Sequence, residues 1–171
     1  MDSPIQTPTR AGRFCLRDCR QVSVCDLTGV ERFVVWALRW RAAAHDDPAF
    51  AAACLQDSFD RAGLRAAQPA LERFVAAAQD RPLDCPAALR LGCWRLSPLE
   101  AHALHAIACL QAGILGEAWK ALSRVCSRRQ AARALLALQE LATALERAGG
   151  QVSRWRFEEA PAPGDRAALP A

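Results

Sequence analysis

The chain has 171 residues, about half of them apolar, which is enough for one domain with a substantial buried core. Its net charge of +4 is far below the basic bias of a dedicated nucleic-acid-binding protein. The N-terminal segment MDSPIQTPTRAGRF lacks the apolar stretch of a secretory signal, and no apolar run approaches the roughly 18 residues that span a bilayer. These features predict a cytoplasmic protein with no membrane association. The arginine- and alanine-rich composition, with Lys120 as the only lysine, indicates a GC-rich bacterial source.

Three motifs predict where helices begin. Each has the S/T-x-x-E/Q spacing of a capping box, in which two side chains satisfy backbone N–H groups that a helix start leaves open. The motifs span 28–31, 97–100 and 127–130. Apolar periodicity extends from them, and glycines or prolines mark the ends. The predicted helices are Gly29–Ala44, Pro48–Ala62, Pro69–Asp80, Pro98–Ala112, Gly116–Cys126 and Arg128–Ala148.

The segments outside these helices predict the domain limits. Residues 81–96 hold two prolines and a glycine without helical phase, so we expect a connecting loop. The stretch QVSRWRF, residues 151–157, alternates apolar and polar residues and favours an extended conformation. No such run is long enough for a sheet, which predicts an all-α fold, a small helical bundle of five to six helices with disordered termini. It comprises a flexible basic N-terminal arm (1–26), a single helical domain (27–157) and a disordered tail (158–171).

The first predicted helix carries more aromatic surface than one face of a small bundle can hide. At 100° per residue, Phe33, Trp36 and Trp40 share one face, whereas Arg32 and Arg39 lie toward the other. The helix is therefore either central to the core or part of an interface. We predict Trp36 and Trp40 as partner-binding residues, with another protein or a second copy of the chain as the partner.

The segment CWRLSPLEAHALHAIACLQAG, residues 93–113, has the spacing of a metal site. His102, His105 and Cys109 recur three and four residues apart, so their side chains share one helix face. Imidazole and thiolate together bind Zn²⁺ or Fe²⁺, and Cys93 or Cys85 in the preceding loop could supply a further ligand. The alternative is that this polar face is a solvated or second-interface surface with exposed histidines and no bound metal.

Basic residues concentrate at the junction of the last two predicted helices, in the segment KALSRVCSRRQAAR. Such charges can meet phosphates, and a helix-turn-helix pair places its second helix in a groove of DNA. No aromatic residue is interleaved, which disfavours stacking on single strands. A solvated face is the alternative. The candidate nucleic-acid-binding residues are Lys120, Arg124, Arg128, Arg129 and Arg133.

The segment ALHAIACLQAGILGEAWKAL places small residues at Ala106 and Ala118, a turn glycine at Gly113 and a Glu–Ala pair at Glu117. It resembles part of a tetratricopeptide hairpin, and this resemblance implies binding of peptides or proteins. An ordinary helical hairpin with small residues at its crossing has the same pattern.

Motifs for catalysis are missing from the sequence: it has no glycine-rich phosphate loop, no G-x-S-x-G elbow and no paired carboxylates. We therefore expect a protein that is not an enzyme and has no cofactor. Its predicted role is macromolecular binding, as an adaptor, a regulator or an assembly component. A metal-binding (Zn or Fe) or thiol redox-sensing protein is the first alternative, and a nucleic-acid-binding regulator is the second.

Overall fold

Six α-helices dominate the computed structural model, which describes residues 22–43, 48–79 and 92–153. Short 3-10 turns at Val24–Asp26 and Arg65–Ala67 precede the first and third helices. Within the described ranges there is no β-strand, only an isolated antiparallel bridge between Ser23 and Arg95. The prediction of an all-α helical bundle is confirmed. The helices are α1 (Gly29–Ala43), α2 (Pro48–Arg61), α3 (Gln68–Gln79), α4 (Pro98–Gln111), α5 (Leu115–Ser123) and α6 (Arg128–Arg147).

The capping motifs form as the sequence predicts. At the start of α4, the Ser97 hydroxyl accepts from the Glu100 N–H at 3.2 Å, and the Glu100 carboxylate accepts from the Ser97 N–H at 2.7 Å. Ser127 and Gln130 repeat this arrangement at α6. Helices α4 and α6 are each followed by a glycine with positive φ, Gly113 in the first case, the conformation that ends helices without steric penalty. Local sequence therefore sets the helix boundaries.

Helix α5 is shorter than predicted. The sequence gives Gly116–Cys126, whereas the helix ends at Ser123 and residues 124–126 form a turn. The reason is the next cap, because Ser127 takes an extended backbone (ψ 160°) to accept from the Gln130 N–H. The chain must leave the helix before that residue.

Parts of the predicted domain plan lie outside the described residues. These parts are residues 1–21 of the arm, residues 44–47 after the first helix, residue 80 with residues 81–91 of the loop, residues 154–157 of the extended stretch, and the tail 158–171. Of the arm's remaining residues, Val22 is buried in the core. Of the extended stretch, residues 151–153 are described and are not helical, and Val152 is buried.

Helix α4 is the centre of the bundle. Every residue from Leu99 to Cys109 is buried, and the helix contacts α5, α6 and α1. Helix α3 packs along α6, and α2 packs against α1 and α3. Four alanines of α4 are fully or almost fully buried, which lets neighbouring backbones approach closely while Leu104 and Ile107 fill the space between them.

Two expectations about helix faces are wrong. The histidine face of α4 is not a solvated surface, because His102 is 4% exposed, His105 8% and Cys109 0%. Arg39 does not point outward from α1 but is buried. Both errors have one cause: an isolated helical wheel assumes one covered side, whereas a helix with neighbours on several sides buries its polar positions too.

Candidate partner-binding site

Four aromatic side chains of α1 and α2 form a row, which we call the aromatic surface: Phe33, Trp36, Trp40 and Phe50. The ring centroids of Trp36 and Trp40 are 5.8 Å apart with an interplanar angle of 16°, a stacked pair. Phe33 lies 6.1 Å from Trp36, and Phe50 lies 6.3 Å from Trp40. Spacings of three and four residues place the three rings of α1 along one side of the helix.

The inner edge of the aromatic surface is fixed to the core. The Trp40 indole N–H donates to the Ala51 carbonyl at 3.1 Å, and the Phe33 ring meets the buried Phe59 ring edge-on at 5.0 Å. The three rings of α1 stay half-buried, and Phe50 is 59% exposed. The row is thus a positioned aromatic surface that still faces solvent.

The sequence analysis named Trp36 and Trp40 as candidates but did not name Phe50. The signal was present, because α2 buries Ala51, Leu55 and Phe59, one residue per helical turn. Phe50 lies well away from that stripe on a 3.6-residue wheel. A large apolar residue off the buried stripe of its helix is a candidate for an interface.

The predicted metal-ligating residues of α4 share a buried interior position. The Cys109 sulfur lies 3.5 Å from the His105 Nε2 atom, a contact between residues four apart. Burial, followed by the charges of Arg124 and His105, lowers the pKa of His102 to about 4. His102 is therefore neutral at physiological pH.

These side chains do not form a metal site with other described residues. Within residues 22–43, 48–79 and 92–153, no group of three or more His, Cys, Asp or Glu side chains could hold an ion. Cys93 is half-buried in the loop before α4, and Cys85 lies outside the described residues. The His105–Cys109 pair is chemically a thiol beside an imidazole, but the complete burial of Cys109 keeps substrates from its sulfur.

A buried ion pair that the sequence did not reveal joins α1 to α4. The Arg39 guanidinium donates to Glu100 through Nε at 2.6 Å and through Nη2 at 3.1 Å. It also donates to the carbonyls of Arg95, at 2.8 Å, and Cys93. Since Glu100 also caps α4 while Arg39 binds the loop carbonyls, the ion pair as a whole links the helix start, the preceding loop and α1. The loop presents Trp94 at the surface with the Arg95 guanidinium 4.3 Å above its ring.

The five predicted nucleic-acid-binding residues are all exposed, on α5, the α5–α6 turn and the first two turns of α6. Lys120 forms an ion pair with Glu117 at 2.9 Å. Arg128, Arg129 and Arg133 form no ion pair with any residue that the structure describes. We refer to these five residues, Lys120, Arg124, Arg128, Arg129 and Arg133, as the basic surface.

Comparison with known proteins adds no relationship. No protein-family model matches the chain, and no curated protein or solved structure is significantly similar to it. The hairpin behind the tetratricopeptide resemblance is present as α4 and α5, joined at Gly113 (φ +72°). None of the described helices combines the length and apolar character needed to cross a membrane.

Proposed function

We propose that the protein is a helical binding module that docks an amphipathic helix of a partner protein on its aromatic surface. The observation that carries this proposal is the row of four stacked or tilted rings that the bundle positions but leaves partly exposed. Aromatic residues in a fixed, partly desolvated position are the residues that most often dominate protein interfaces.

A partner that covers the aromatic surface would bury a large apolar area and order few side chains. An aromatic side chain buries roughly 150–250 Å² when covered. Because Trp40 and Phe33 are already held by Ala51 and Phe59, a partner that covers the row orders few side chains on binding. Association therefore gains apolar burial at a small entropic cost.

The surroundings of the rings fit a helix with acidic residues at its edge. Ala49, Ala52 and Ala53 of α2 are exposed beside Phe50, and such small side chains allow a second helix backbone to approach closely. Arg32, which the helical wheel set toward the other face of α1, is exposed one turn before Trp36, so it lies near the rim of the rings and can pair with a carboxylate there. An amphipathic helix would present anchors at i, i+3 or i+4, and i+7.

The proposal is tested by selecting helical peptides from a randomised display library on the immobilised full chain. Enriched peptides should carry the apolar spacing of an amphipathic helix and bind with micromolar dissociation constants in solution. Trp36→Ser and Phe50→Ser should each weaken binding about tenfold or more, as expected for interface anchors. Leu136→Ser is the matched control, because Leu136 is 65% exposed on α6, away from the rings.

The outcomes separate the possible occupants. If Leu136→Ser weakens peptide binding as much as Trp36→Ser and Phe50→Ser do, or if the selection enriches no peptide, docking on the aromatic surface is refuted. Sedimentation equilibrium of the chain alone tests a second copy: a dimer that Phe50→Ser dissociates would replace the partner helix by self-association. As part of the proposal we place this activity in the cytoplasm, which agrees with the five described cysteines being outside disulfides.

A further inference from the structure

We infer that the basic surface binds duplex DNA through its phosphates, with the first turns of α6 lying in the major groove. This inference does not depend on the aromatic surface, because the basic surface belongs to other helices. Four observations support it: the lack of ion pairs in a cluster of arginines, their place on α6, the shape and chemistry of the surface they occupy, and the turn that joins α5 to α6.

Lack of an ion pair together with clustering distinguishes Arg128, Arg129 and Arg133. Arg32, Arg95 and Arg147 are also exposed without an ion pair to a described residue, but among the described residues only the arginines of α6 gather three such charges within six residues. Arg61 pairs with Asp57 at 2.9 Å, Arg65 with Asp60 at 3.6 Å, and Arg73 with Glu140. In contrast, the three arginines of α6 in the basic surface have no such partner among the described residues. Their positive potential is thus not cancelled locally and is available to an external polyanion.

The position of the arginines on α6 is unfavourable for the isolated protein. Arg128 and Arg129 occupy the first turn of a 20-residue helix, whose amino end already carries a partial positive charge. Cations there lower the stability of the helix. With phosphates nearby, the same charges and the helix end would attract the ligand together.

The shape of the surface favours duplex DNA over other polyanions. Arg129 and Arg133 are four residues apart and share one outward face of α6, with the exposed Ala132 between them. A helix of 10–12 Å diameter enters the major groove of B-DNA, which is about 12 Å wide, but not the deep, narrow major groove of duplex RNA. The exposed large apolar residues of the described chain are Phe50, Trp94, Leu115 and Leu136, so no exposed aromatic ring lies on the basic surface to stack on single strands.

The connection between α5 and α6 is also consistent with DNA binding. Helix α5 ends at Ser123, α6 begins at Arg128, and the two helices contact each other. A four-residue turn between two packed helices, with the contacting residues at the start of the second helix, is the arrangement used by helix-turn-helix proteins. The two arrangements share the order of the helices and the position of the charges, so we place the groove contact on the first two turns of α6.

The test is fluorescence anisotropy of a labelled 20-base-pair DNA duplex of mixed sequence, titrated with the full chain at 50–200 mM salt. With three to five phosphate contacts, the slope of log K against log salt should be about −2.7 to −4.5. The double variant Arg129→Gln/Arg133→Gln should bind about tenfold more weakly at 50 mM salt and flatten the slope by about 2. Its melting temperature should not fall, because both substitutions relieve like charges near the helix start.

The matched control is Arg61→Gln/Arg65→Gln, which removes the same net charge from two exposed arginines elsewhere. It should change DNA affinity by no more than about twofold. If the two double variants lose the same DNA affinity, the effect comes from net charge alone and the inference is overturned. The same conclusion follows if duplex DNA is not bound at 50 mM salt, or if single-stranded DNA, duplex RNA or anionic lipid vesicles bind more tightly than duplex DNA.

Discussion

The ion pair between Arg39 and Glu100 allows the sharpest test of how the bundle is held together. Arg39→Met removes the guanidinium but keeps an unbranched apolar side chain of similar reach. It leaves the Glu100 carboxylate, which is fully buried, with the Ser97 N–H but without its counter-charge. It also removes the donors to the carbonyls of Cys93 and Arg95.

The magnitude follows from the cost of an uncompensated buried charge. Removing one partner of a buried ion pair typically destabilises a protein by about 3–5 kcal/mol, because the desolvated partner remains. A domain of this size has a free energy of unfolding of roughly 5–15 kcal/mol. We therefore expect Arg39→Met to lower the free energy of unfolding by about 4 kcal/mol, a large part of the total. Arg39→Lys should cost less, since the charge stays while the fork that meets both carboxylate oxygens is lost.

A double-mutant cycle separates the pair from the cap. Glu100→Gln removes the charge but keeps an oxygen that can accept from the Ser97 N–H, as Gln130 does for Ser127 in this same chain. Each single variant leaves one buried charge, whereas the double variant leaves none. The double variant should therefore be more stable than the sum of the single effects predicts, by about 2–3 kcal/mol, toward the upper end of coupling energies between contacting residues.

Urea unfolding at pH 7, followed by tryptophan fluorescence and by circular dichroism at 222 nm, gives the free energy of unfolding of the wild type, Arg39→Met, Glu100→Gln and the double variant. Coincident transitions by the two probes would justify two-state analysis. A loss below about 1 kcal/mol in Arg39→Met would show that the pair is not desolvated as the structure implies. Additive single effects would show that Arg39 and Glu100 act separately, and the account of this junction would be wrong.

Two further predictions concern α4 and α6. The pKa of His102 is lowered from 6.5 to about 4, so the unfolded state takes up a proton at a higher pH than the folded state. The contribution of neutral His102 to stability is therefore complete above about pH 6.5, falls as the pH drops, and is lost below about pH 4. A shift of this size corresponds to about 3 kcal/mol. The urea midpoint of the wild type should therefore fall more steeply between pH 7 and pH 4.5 than the midpoint of His102→Leu. If the two midpoints fall in parallel, the pKa of His102 is not lowered. Ser127→Ala should lower the free energy of unfolding by about 1 kcal/mol through loss of the α6 cap, whereas Ser123→Ala, on the exposed end of α5, should change it by less than about 0.5 kcal/mol.

Helix positions could be predicted from sequence because their signals are local. A capping box needs only four consecutive residues, and the three boxes of this chain place the starts of α1, α4 and α6 at the observed residues. The positive-φ glycines work in the same way at helix ends. Neither signal depends on which helices become neighbours. The one clear boundary error, at the end of α5, arose where the cap of the following helix ended the preceding one early.

Burial could not be predicted in the same way because it depends on neighbours. Alanine is compatible with both a surface and a core, so the alanines of α4 gave no indication that the helix is covered on all sides. The His102, His105 and Cys109 face was therefore assigned by polarity alone. Arg39 was misplaced for a similar reason: its partner Glu100 is 61 residues away and was already explained by its capping role.

The same distinction bears on function. Once His102, Cys109 and Arg39 are assigned to the interior, the aromatic surface on α1 and α2 and the basic surface on α5 and α6 remain as the two surfaces for which we propose a macromolecular partner. They use different helices, and α4 contacts both α1 and α5. A substitution that acts only at its own surface should leave binding at the other unchanged, so Phe50→Ser should preserve DNA affinity and Arg129→Gln/Arg133→Gln should preserve peptide affinity. Loss of both affinities in one variant would instead indicate that the substitution weakens the shared bundle, and neither loss could then be read as a lost contact.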